Sequence, residues 1–383
     1  MSRYLLIALM AAAVVLSACS GSSKRVMPVD DLSDSQDGVS VTTVWSSNAG
    51  RGISSLGDAL DPLVDGDRVY VADSRGELTA WQLDSGDRVW RKRLNEPVSG
   101  GPALSDGMLV VGTRNGHVIA LDRESEQELW RTRLSSEIVS VPAIGDDAVV
   151  VISGDGRLAA LSRESGTRRW VYDRSMPPLT LRGTSSPKLL GSTAIAGLPN
   201  GRLVAVNLND GSQAWEVNVG VASGSSDLDR MRDIDGDPVI AGSQIYVVGY
   251  QGQAMALDLQ RGRGEWARDL SSFSGLDVDG ERVYVTEDNG RVWALDRRSG
   301  AAVWRQDKLE GIRGTAPMAV GDFVVVGDER GRITVLDASD GDILARVRID
   351  RSNGISRNPV VVGDDVLVLT DGGRLQRLSF SRN

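Results

Sequence analysis

The sequence has very few of the residues on which most metal sites and nucleophilic enzymes depend. It contains one cysteine, Cys19, and one histidine, His117, in 383 residues. A single cysteine cannot form a disulfide within the chain, and a zinc site or a Cys/His catalytic pair needs more of these side chains. His117 follows a turn glycine at the start of a predicted strand, which is typical of a solvated or packed histidine. We therefore expect no catalytic residue, no metal and no cofactor.

Basic residues are in the minority. The chain has 43 Lys and Arg against 52 Asp and Glu, which gives a formal net charge of −9. This balance repels a phosphate backbone unless the basic residues are concentrated on one face, so nucleic acid is not expected as a partner. Glycine, by contrast, is abundant at 44 residues, which indicates a β-rich chain with many turns.

Residues 1–18 have the features of a secretory signal peptide. A short basic start is followed by the apolar run from Leu5 to Leu16, and small residues then precede Cys19. The apolar run is too short to span a bilayer stably. The Leu-Ser-Ala-Cys sequence resembles the lipobox of bacterial lipoproteins, which implies acylation of Cys19. The alternative is a cysteine buried in an ordinary signal peptide.

Residues 19–40 are predicted to be a lipidated, flexible tether. They are rich in Ser, Asp and Gly and poor in large apolar side chains. About 20 flexible residues have a root-mean-square reach of roughly 25 Å, which lets a globular body lie near the bilayer. Ser20, rather than an aspartate, follows Cys19. In bacterial lipoproteins that difference implies transfer to the outer membrane, where this protein would face the periplasm.

The chain from residue 41 to residue 383 repeats one module. Proline, glycine and tryptophan recur at intervals of 14 residues in five complete copies: Pro62, Gly76, Trp90; Pro102, Gly116, Trp130; Pro142, Gly156, Trp170; Pro187, Gly201, Trp215; Pro238, Gly252, Trp266. Two later copies change one anchor each, with Leu276 in place of the proline and Ala345 in place of the tryptophan. An eighth copy begins at Pro359 and reaches Asn383 before its tryptophan position.

Each copy divides into four short strands, which is typical of a propeller blade. Val41–Trp45 has the pattern of a fourth strand without its preceding strands, and so it matches the piece that the eighth copy lacks. The sequence predicts an all-β fold, an eight-bladed β-propeller of four-stranded antiparallel blades, with the ring closed by the N-terminal strand. Closure removes exposed sheet edges.

The regular spacing within the chain also predicts structural roles for the repeated side chains. One tryptophan per blade on a strand suggests packing between neighbouring blades rather than cofactor stacking. The aspartates after the third strand, such as Asp122 and Asp296, suit turns in which they bond their own backbone, rather than a shared metal site. The prolines suit first strands that form the edge facing a central channel.

The repeat resembles that of quinoprotein dehydrogenases, eight-bladed propellers that bind pyrroloquinoline quinone and calcium. The chain lacks the vicinal cysteine pair that often lies over the quinone in those enzymes. Across its whole length, the chain is more similar to the BamB family, the propeller lipoprotein of the outer-membrane β-barrel assembly machinery. The lipobox, the tether, the eight repeats and the segments Leu179–Gly183 and Asp233–Asp235 carry this resemblance.

The BamB resemblance implies a non-enzymatic scaffold that assists folding and insertion of outer-membrane proteins. It implies that the periplasmic domains of the barrel-forming, BamA-type subunit are the partner, with unfolded outer-membrane proteins as a second candidate. The contact residues would be Leu179, Leu181, Arg182, Asp233 and Asp235. The alternatives are a quinoprotein dehydrogenase and a propeller scaffold of another envelope complex.

Connector length points to the same region independently. The distance from a tryptophan to the next proline is usually 10 to 14 residues, but it is 17 after Trp170 and 23 after Trp215. These two connectors, 171–186 and 216–237, should emerge side by side on one face. They combine an apolar centre with charged surroundings, which is typical of a protein interface. The alternatives are variable solvated loops and a calcium loop around Asp233, although that loop has Gln244 where a calcium loop has glutamate.

Overall fold

The two middle strands of most repeats are buried along most of their length, whereas the last strand alternates in burial. In the second repeat, Met108–Thr113 and His117–Asp122 are buried along most of their length, while Glu128–Arg133 exposes its charged residues on either side of buried Trp130. A strand that is covered on both faces loses the alternation that a half-exposed strand shows. The middle strands therefore lie between neighbouring sheets, and the last strand lies at the outside.

The computed structural model describes residues 33–53, 57–174, 185–220 and 232–383. These residues contain 32 β-strands and no helix, and thus no helix that could cross a membrane. They belong to one unit that extends from Ser33 to Asn383.

The strands form eight four-stranded antiparallel sheets, which we call blades 1 to 8 in chain order. The first strand, β1 (Val39–Asn48), precedes blade 1 in the chain. The strands of the first four blades are, for blade 1, β2 (Leu63–Asp65), β3 (Arg68–Ala72), β4 (Glu77–Gln82) and β5 (Arg88–Arg93); for blade 2, β6 (Val98–Ser105), β7 (Met108–Thr113), β8 (His117–Asp122) and β9 (Glu128–Arg133); for blade 3, β10 (Ala143–Ile144), β11 (Ala148–Ile152), β12 (Leu158–Ser162) and β13 (Arg168–Tyr172); and for blade 4, β14 (Lys188–Leu190), β15 (Thr193–Gly197), β16 (Arg202–Asn207) and β17 (Gln213–Asn218).

Blades 5 to 8 repeat the same order of strands. Their strands are, for blade 5, β18 (Val239–Ala241), β19 (Gln244–Val248), β20 (Gln253–Asp258) and β21 (Gly264–Asp269); for blade 6, β22 (Leu276–Val278), β23 (Arg282–Thr286), β24 (Val292–Asp296) and β25 (Ala302–Gln306); for blade 7, β26 (Met318–Val320), β27 (Phe323–Gly327), β28 (Arg332–Asp337) and β29 (Ile343–Arg348); and for blade 8, β30 (Val360–Val362), β31 (Asp365–Leu369) and β32 (Arg374–Arg382), with β1 as its fourth strand.

The first strands of successive blades contact one another, as β6 contacts both β2 and β10, and β22 contacts both β18 and β26. The first strand of each blade is therefore innermost, and the fourth is outermost. One end of the ring carries the connectors between blades and the turns between second and third strands, and we call it the connector end. The other two sets of turns lie at the opposite end. The predicted eight-bladed architecture is confirmed.

The N-terminal strand closes the ring, as the sequence predicts. β1 pairs antiparallel with β32, from Val39 opposite Arg382 to Asn48 opposite Arg374. A hydrophobic cluster joins blade 8 to blade 1 behind this pairing: Trp45, Ala49, Val69, Val71, Trp81, Leu367, Leu369 and Leu375. The last sheet is thus completed by main-chain hydrogen bonds to a strand from the other end of the chain, and it leaves no sheet open at the seam.

The boundary of the predicted tether needs a correction. The backbone N–H of Ser35 donates to the carbonyl of Arg346 at 2.9 Å, and that of Gly38 donates to Leu344 at 3.0 Å. Asp34 also forms an ion pair with Arg332 at 2.8 Å. Residues 34–40 therefore lie against blade 7 and lead into β1. The segment is polar and lacks large apolar side chains, but main-chain hydrogen bonds hold it in place. The rest of the tether lies outside the described residues.

Tryptophans join neighbouring blades, as their spacing suggests. Five of them donate from Nε1 to a main-chain carbonyl of the next blade at 2.7–2.9 Å: Trp45 to Leu83, Trp130 to Arg163, Trp170 to Leu208, Trp266 to Arg297 and Trp304 to Ala338. The indole of each of these tryptophans packs on a turn glycine of that next blade. A Cβ added to Gly166, for example, would lie 2.6 Å from Cε3 of Trp130. Each such position therefore requires glycine both for its positive φ and for the close approach of the indole.

The aspartates that follow third strands act in turns. Asp122, Asp296 and Asp337 each accept hydrogen bonds from the backbone N–H and the hydroxyl of a serine two or three residues later. For Asp122 and Asp296, the serine hydroxyl is the main cause of a pKa below the usual aspartate value. The turn interpretation is confirmed for these residues.

Candidate functional site

The described ends of the two long connectors adjoin one another at the connector end of the ring. Asp237, at the end of the second connector, accepts a hydrogen bond from the backbone N–H of Ser186, at the end of the first, at 2.6 Å. Its other carboxylate oxygen accepts from Nζ of Lys188 at 2.7 Å. One carboxylate therefore ties the connectors together where each enters its blade. Leu179, Leu181 and Arg182, like Cys19, lie outside the described residues.

Asp233 differs from the sequence prediction, which groups it with the exposed charges of the connector. Its side chain is fully buried, and its carbonyl accepts a hydrogen bond from the N–H of Tyr250 at 2.8 Å. The neighbouring Ile234 is also fully buried, in the hydrophobic cluster between blades 4 and 5. This backbone pairing and the anchoring of Ile234 direct Asp233 inward, so it stabilises the connector instead of forming its surface.

Asp235 faces a cavity of about 620 Å³ at the connector end of the central axis. The cavity receives side chains from several blades, among them Asp61, Asp288, Arg313 and Arg357. The connector that carries a predicted contact residue is therefore also a wall of the axial cavity. The sequence predicts a central channel but does not indicate which connector lines it.

Asp61 and Asp237 lie where the axial cavity adjoins the first strands. Both also line a second cavity of about 240 Å³, which lies deeper along the axis. Burial raises the pKa of the Asp61 carboxyl above its usual value, and the negative charge of Asp237 adds to this effect. The positive charges of Arg357 and Lys188 oppose it. The mouth of the channel thus holds two carboxylates: Asp237, which is ion-paired with Lys188, and Asp61, whose pKa is shifted mainly by burial.

The residue that precedes the proline of each first strand could have been used to predict, from the sequence, which side chains line the axial cavity. Asp61, Ser186, Asp237 and Asn358 all occupy that position in their repeats and all line the axial cavity. Because the first strands are innermost, the residue that enters each of them lies next to the axis. The phase of the repeat, rather than any local motif, identifies these positions.

The described residues contain no group of three or more His, Cys, Asp or Glu side chains arranged to hold a metal ion. His117 has its Nδ1 at 2.8 Å from a carboxylate oxygen of Glu96. Burial tends to raise the pKa of Glu96, but hydrogen bonds from His117 and Thr113 and the charges of His117 and Arg131 lower it overall.

Comparison with known proteins places the chain in a family. A family model described as outer membrane protein assembly factor BamB matches residues 37–108, 82–306 and 294–382. Proteins of that name from Pseudomonas aeruginosa and Alkalilimnicola ehrlichii are each 45% identical to this chain, over 96% and 98% of it respectively and 97% of each relative. The chain belongs to the BamB family. The resemblance inferred from the sequence is confirmed, and the relatives are named as assembly factors, not as enzymes.

Solved structures agree with this membership. The crystal structure of BamB from Moraxella catarrhalis has a TM-score of 0.81 at 26% identity and covers 89% of this chain and 100% of that one. A quinohemoprotein alcohol dehydrogenase from Comamonas testosteroni has a TM-score of 0.70 at 15% identity and covers 90% of this chain and 76% of that one. The second likeness shows the shared propeller fold alone and carries no functional conclusion.

Proposed function

We propose that this BamB-family chain is a scaffold lipoprotein of the outer-membrane β-barrel assembly machinery. It performs no covalent chemistry; it binds the periplasmic domains of the barrel-forming subunit and assists folding and insertion of outer-membrane proteins. Family membership supports the assembly role. The observation that supports the docking site is the hydrogen bonding of Asp237 to Ser186 and Lys188, which joins the ends of the two long connectors at one end of the ring.

The proposed contact residues divide into two roles. Leu179, Leu181 and Arg182 supply the apolar and basic contacts of the first connector, and Asp235 supplies an acidic contact from the second. Asp233 acts as a positioning residue, because its side chain is buried and its carbonyl is bonded to Tyr250. A few central apolar and charged anchors usually dominate the affinity of such an interface.

The docking proposal is tested by co-purification of the barrel-forming subunit with single variants of the full chain. Leu181→Asp and Asp235→Arg are expected to weaken capture by at least about thirtyfold, which corresponds to the loss of one interface anchor. Leu129→Asp and Glu164→Arg are matched controls, since both residues are exposed and belong to an outer strand and a turn at the opposite end. Undiminished capture by both test variants, with unchanged melting temperatures, would overturn the docking site.

We further propose that the chain is anchored through acylated Cys19 to the periplasmic face of the outer membrane. The mature protein would then begin at Cys19 and carry several acyl chains, which together give stable anchoring where one does not. Mass spectrometry of the N-terminal peptide from purified outer membranes tests this proposal. An unmodified cysteine, or a mature N-terminus other than Cys19, contradicts it.

A further inference from the structure

A groove lined by five arginines follows the seam where the ring closes. It has a volume of about 850 Å³ and lies between the end of β1 and the outer strand β5. The arginines come from the connector after β1, from the turn between β3 and β4, and from β5: Arg51, Arg75, Arg88, Arg91 and Arg93. All five are exposed. This concentration of positive charge is unexpected in a chain whose formal net charge is −9.

Asp73 builds the connector-end part of this groove. Its Oδ1 accepts hydrogen bonds from the backbone N–H groups of Arg75 and Glu77 at 2.9 and 2.8 Å, and its Oδ2 accepts from that of Arg51 at 3.0 Å. Asp73 is itself buried. The buried carboxylate therefore fixes two loops from different blades so that the Arg51 and Arg75 side chains emerge beside one another.

Most of the positive charge in the groove is uncompensated. Glu77 is the acidic partner of Arg91 and Arg93. Within the described ranges, Arg51, Arg75 and Arg88 form no ion pair, and Arg88 lies 5.9 Å from the ring centroid of Trp81. The formal sum over the lining side chains is five positive charges less the two of Asp73 and Glu77, which leaves +3. A group that carries several negative charges is the natural complement of this surface.

The course of the N-terminal segment indicates which anionic group meets the groove. Asp34 is bonded to Arg332, the first residue of β28, so this segment approaches blade 7 at the connector end. Arg51 and Arg75 lie at the same end, in the next blades around the ring. If acylated Cys19 anchors the chain, the residues between it and Asp34 keep this rim within reach of the bilayer, and tethering raises the local concentration of headgroups around it.

We propose that the arginine groove binds the anionic headgroups of the membrane to which the chain is anchored, and so orients the propeller on that surface. This inference rests on the proposed anchor at Cys19 but not on the docking connectors. The acidic remainder of the molecule is repelled by the same surface, so attraction confined to one seam favours one orientation. The occupant is a phosphate-bearing lipid surface; an acidic protein is the competing occupant that the experiment must exclude.

The test measures binding of the full, acylated chain to two kinds of vesicle. One consists of phosphatidylcholine alone, and the other contains about 30% phosphatidylglycerol, which makes its surface anionic. The anchor contributes to both, so the ratio of the two partition coefficients isolates the effect of charge. Each arginine near an anionic surface changes partitioning about fivefold. The double variant Arg51→Gln/Arg75→Gln is therefore expected to lower the ratio by at least about tenfold at low salt, and less at high salt.

The chain offers a matched control for this variant. Arg261 and Arg298 are exposed arginines in turns at the opposite end, and their backbone N–H groups also donate to an aspartate. Arg261→Gln/Arg298→Gln removes the same charge and should leave the ratio within about twofold of the unmodified chain, because the surface field falls off within a Debye length. Melting temperatures of all variants establish that the fold is retained.

Two outcomes overturn the proposal. The first is an equal ratio for the groove variant and the unmodified chain; if the variant also loses a co-purifying acidic protein, the groove is assigned to a protein. The second is an equal fall in both double variants, which would indicate net charge alone. Failure of the anchor lowers binding to both vesicles alike, and failure of docking leaves the ratio intact, so neither is confused with these results.

Discussion

The tryptophans that join blades allow the contribution of one buried hydrogen bond to be measured against an internal reference. Trp170 donates from Nε1 to the carbonyl of Leu208 at 2.8 Å, and both residues are buried. Trp90 holds the corresponding position in blade 1, but its buried Nε1 has no hydrogen-bond partner among the described residues. The turn of blade 2 that faces it has Glu126, at φ 56°, where the other turns have glycine. The two tryptophans therefore share a position in the repeat and differ in this bond.

Trp170→Phe and Trp90→Phe each remove the second ring of an indole and leave a similar small cavity. Only Trp170→Phe also leaves the buried Leu208 carbonyl without its donor, which costs about 1–3 kcal/mol. Trp90→Phe instead removes a donor that is already unsatisfied. We expect the Trp170 variant to be less stable than the Trp90 variant by about 2 kcal/mol, which for a propeller of this size corresponds to roughly 3 °C in melting temperature. Scanning calorimetry of both variants measures the difference, and equal melting temperatures would refute the role given to this bond.

Two further predictions concern the axis and the turns. Since burial raises the pKa of Asp61 in the folded chain, its ionisation opposes folding as the pH rises above the unfolded-state value of about 4. Asp61→Asn should therefore raise the melting temperature at pH 7, with a gain that shrinks towards zero below about pH 4; a gain independent of pH contradicts this. Gly166→Ala should destabilise more than Gly66→Ala, because both have positive φ but only the first would place its Cβ 2.6 Å from Trp130 while the second meets nothing within 4 Å. Matched thermal melts test this, and equal losses would show that strain in the backbone outweighs the contact with the indole.

The sequence predicts the architecture well because its anchors act locally. A proline marks the start of a first strand, a glycine with positive φ allows the next turn, and a tryptophan packs on the following blade. These anchors recur in most blades, so the losses of single anchors at Leu276 and Ala345 do not obscure the period. Closure by β1 is predictable for the same reason, since the pattern that is missing after Asn383 occurs before Pro62.

Features that depend on contacts between distant segments could not be predicted in the same way. A run of aspartates is expected at the surface, yet Asp233 is buried, because the backbone beside it pairs with Tyr250 and Ile234 fills a space between blades. The arginine groove escapes sequence analysis for a related reason. The connector from Trp45 to Pro62 also spans 17 residues, but the proximity of Arg51 to Arg75 appears only when the carboxylate of Asp73 binds the backbone of both loops.

The residue that precedes each first strand lies next to the central axis, and it can vary without disturbing the fold. The propeller fold depends on proline, glycine and tryptophan at fixed positions of the repeat, but it does not require a particular side chain before the proline. That side chain is an aspartate in blades 1 and 5, serine in blade 4 and asparagine in blade 8. It is glycine or alanine in blades 6 and 7. Because the ring brings these positions together, substitutions that leave blade packing intact change the charge of one cavity, and the departures between repeats carry more functional information than the repeated residues do.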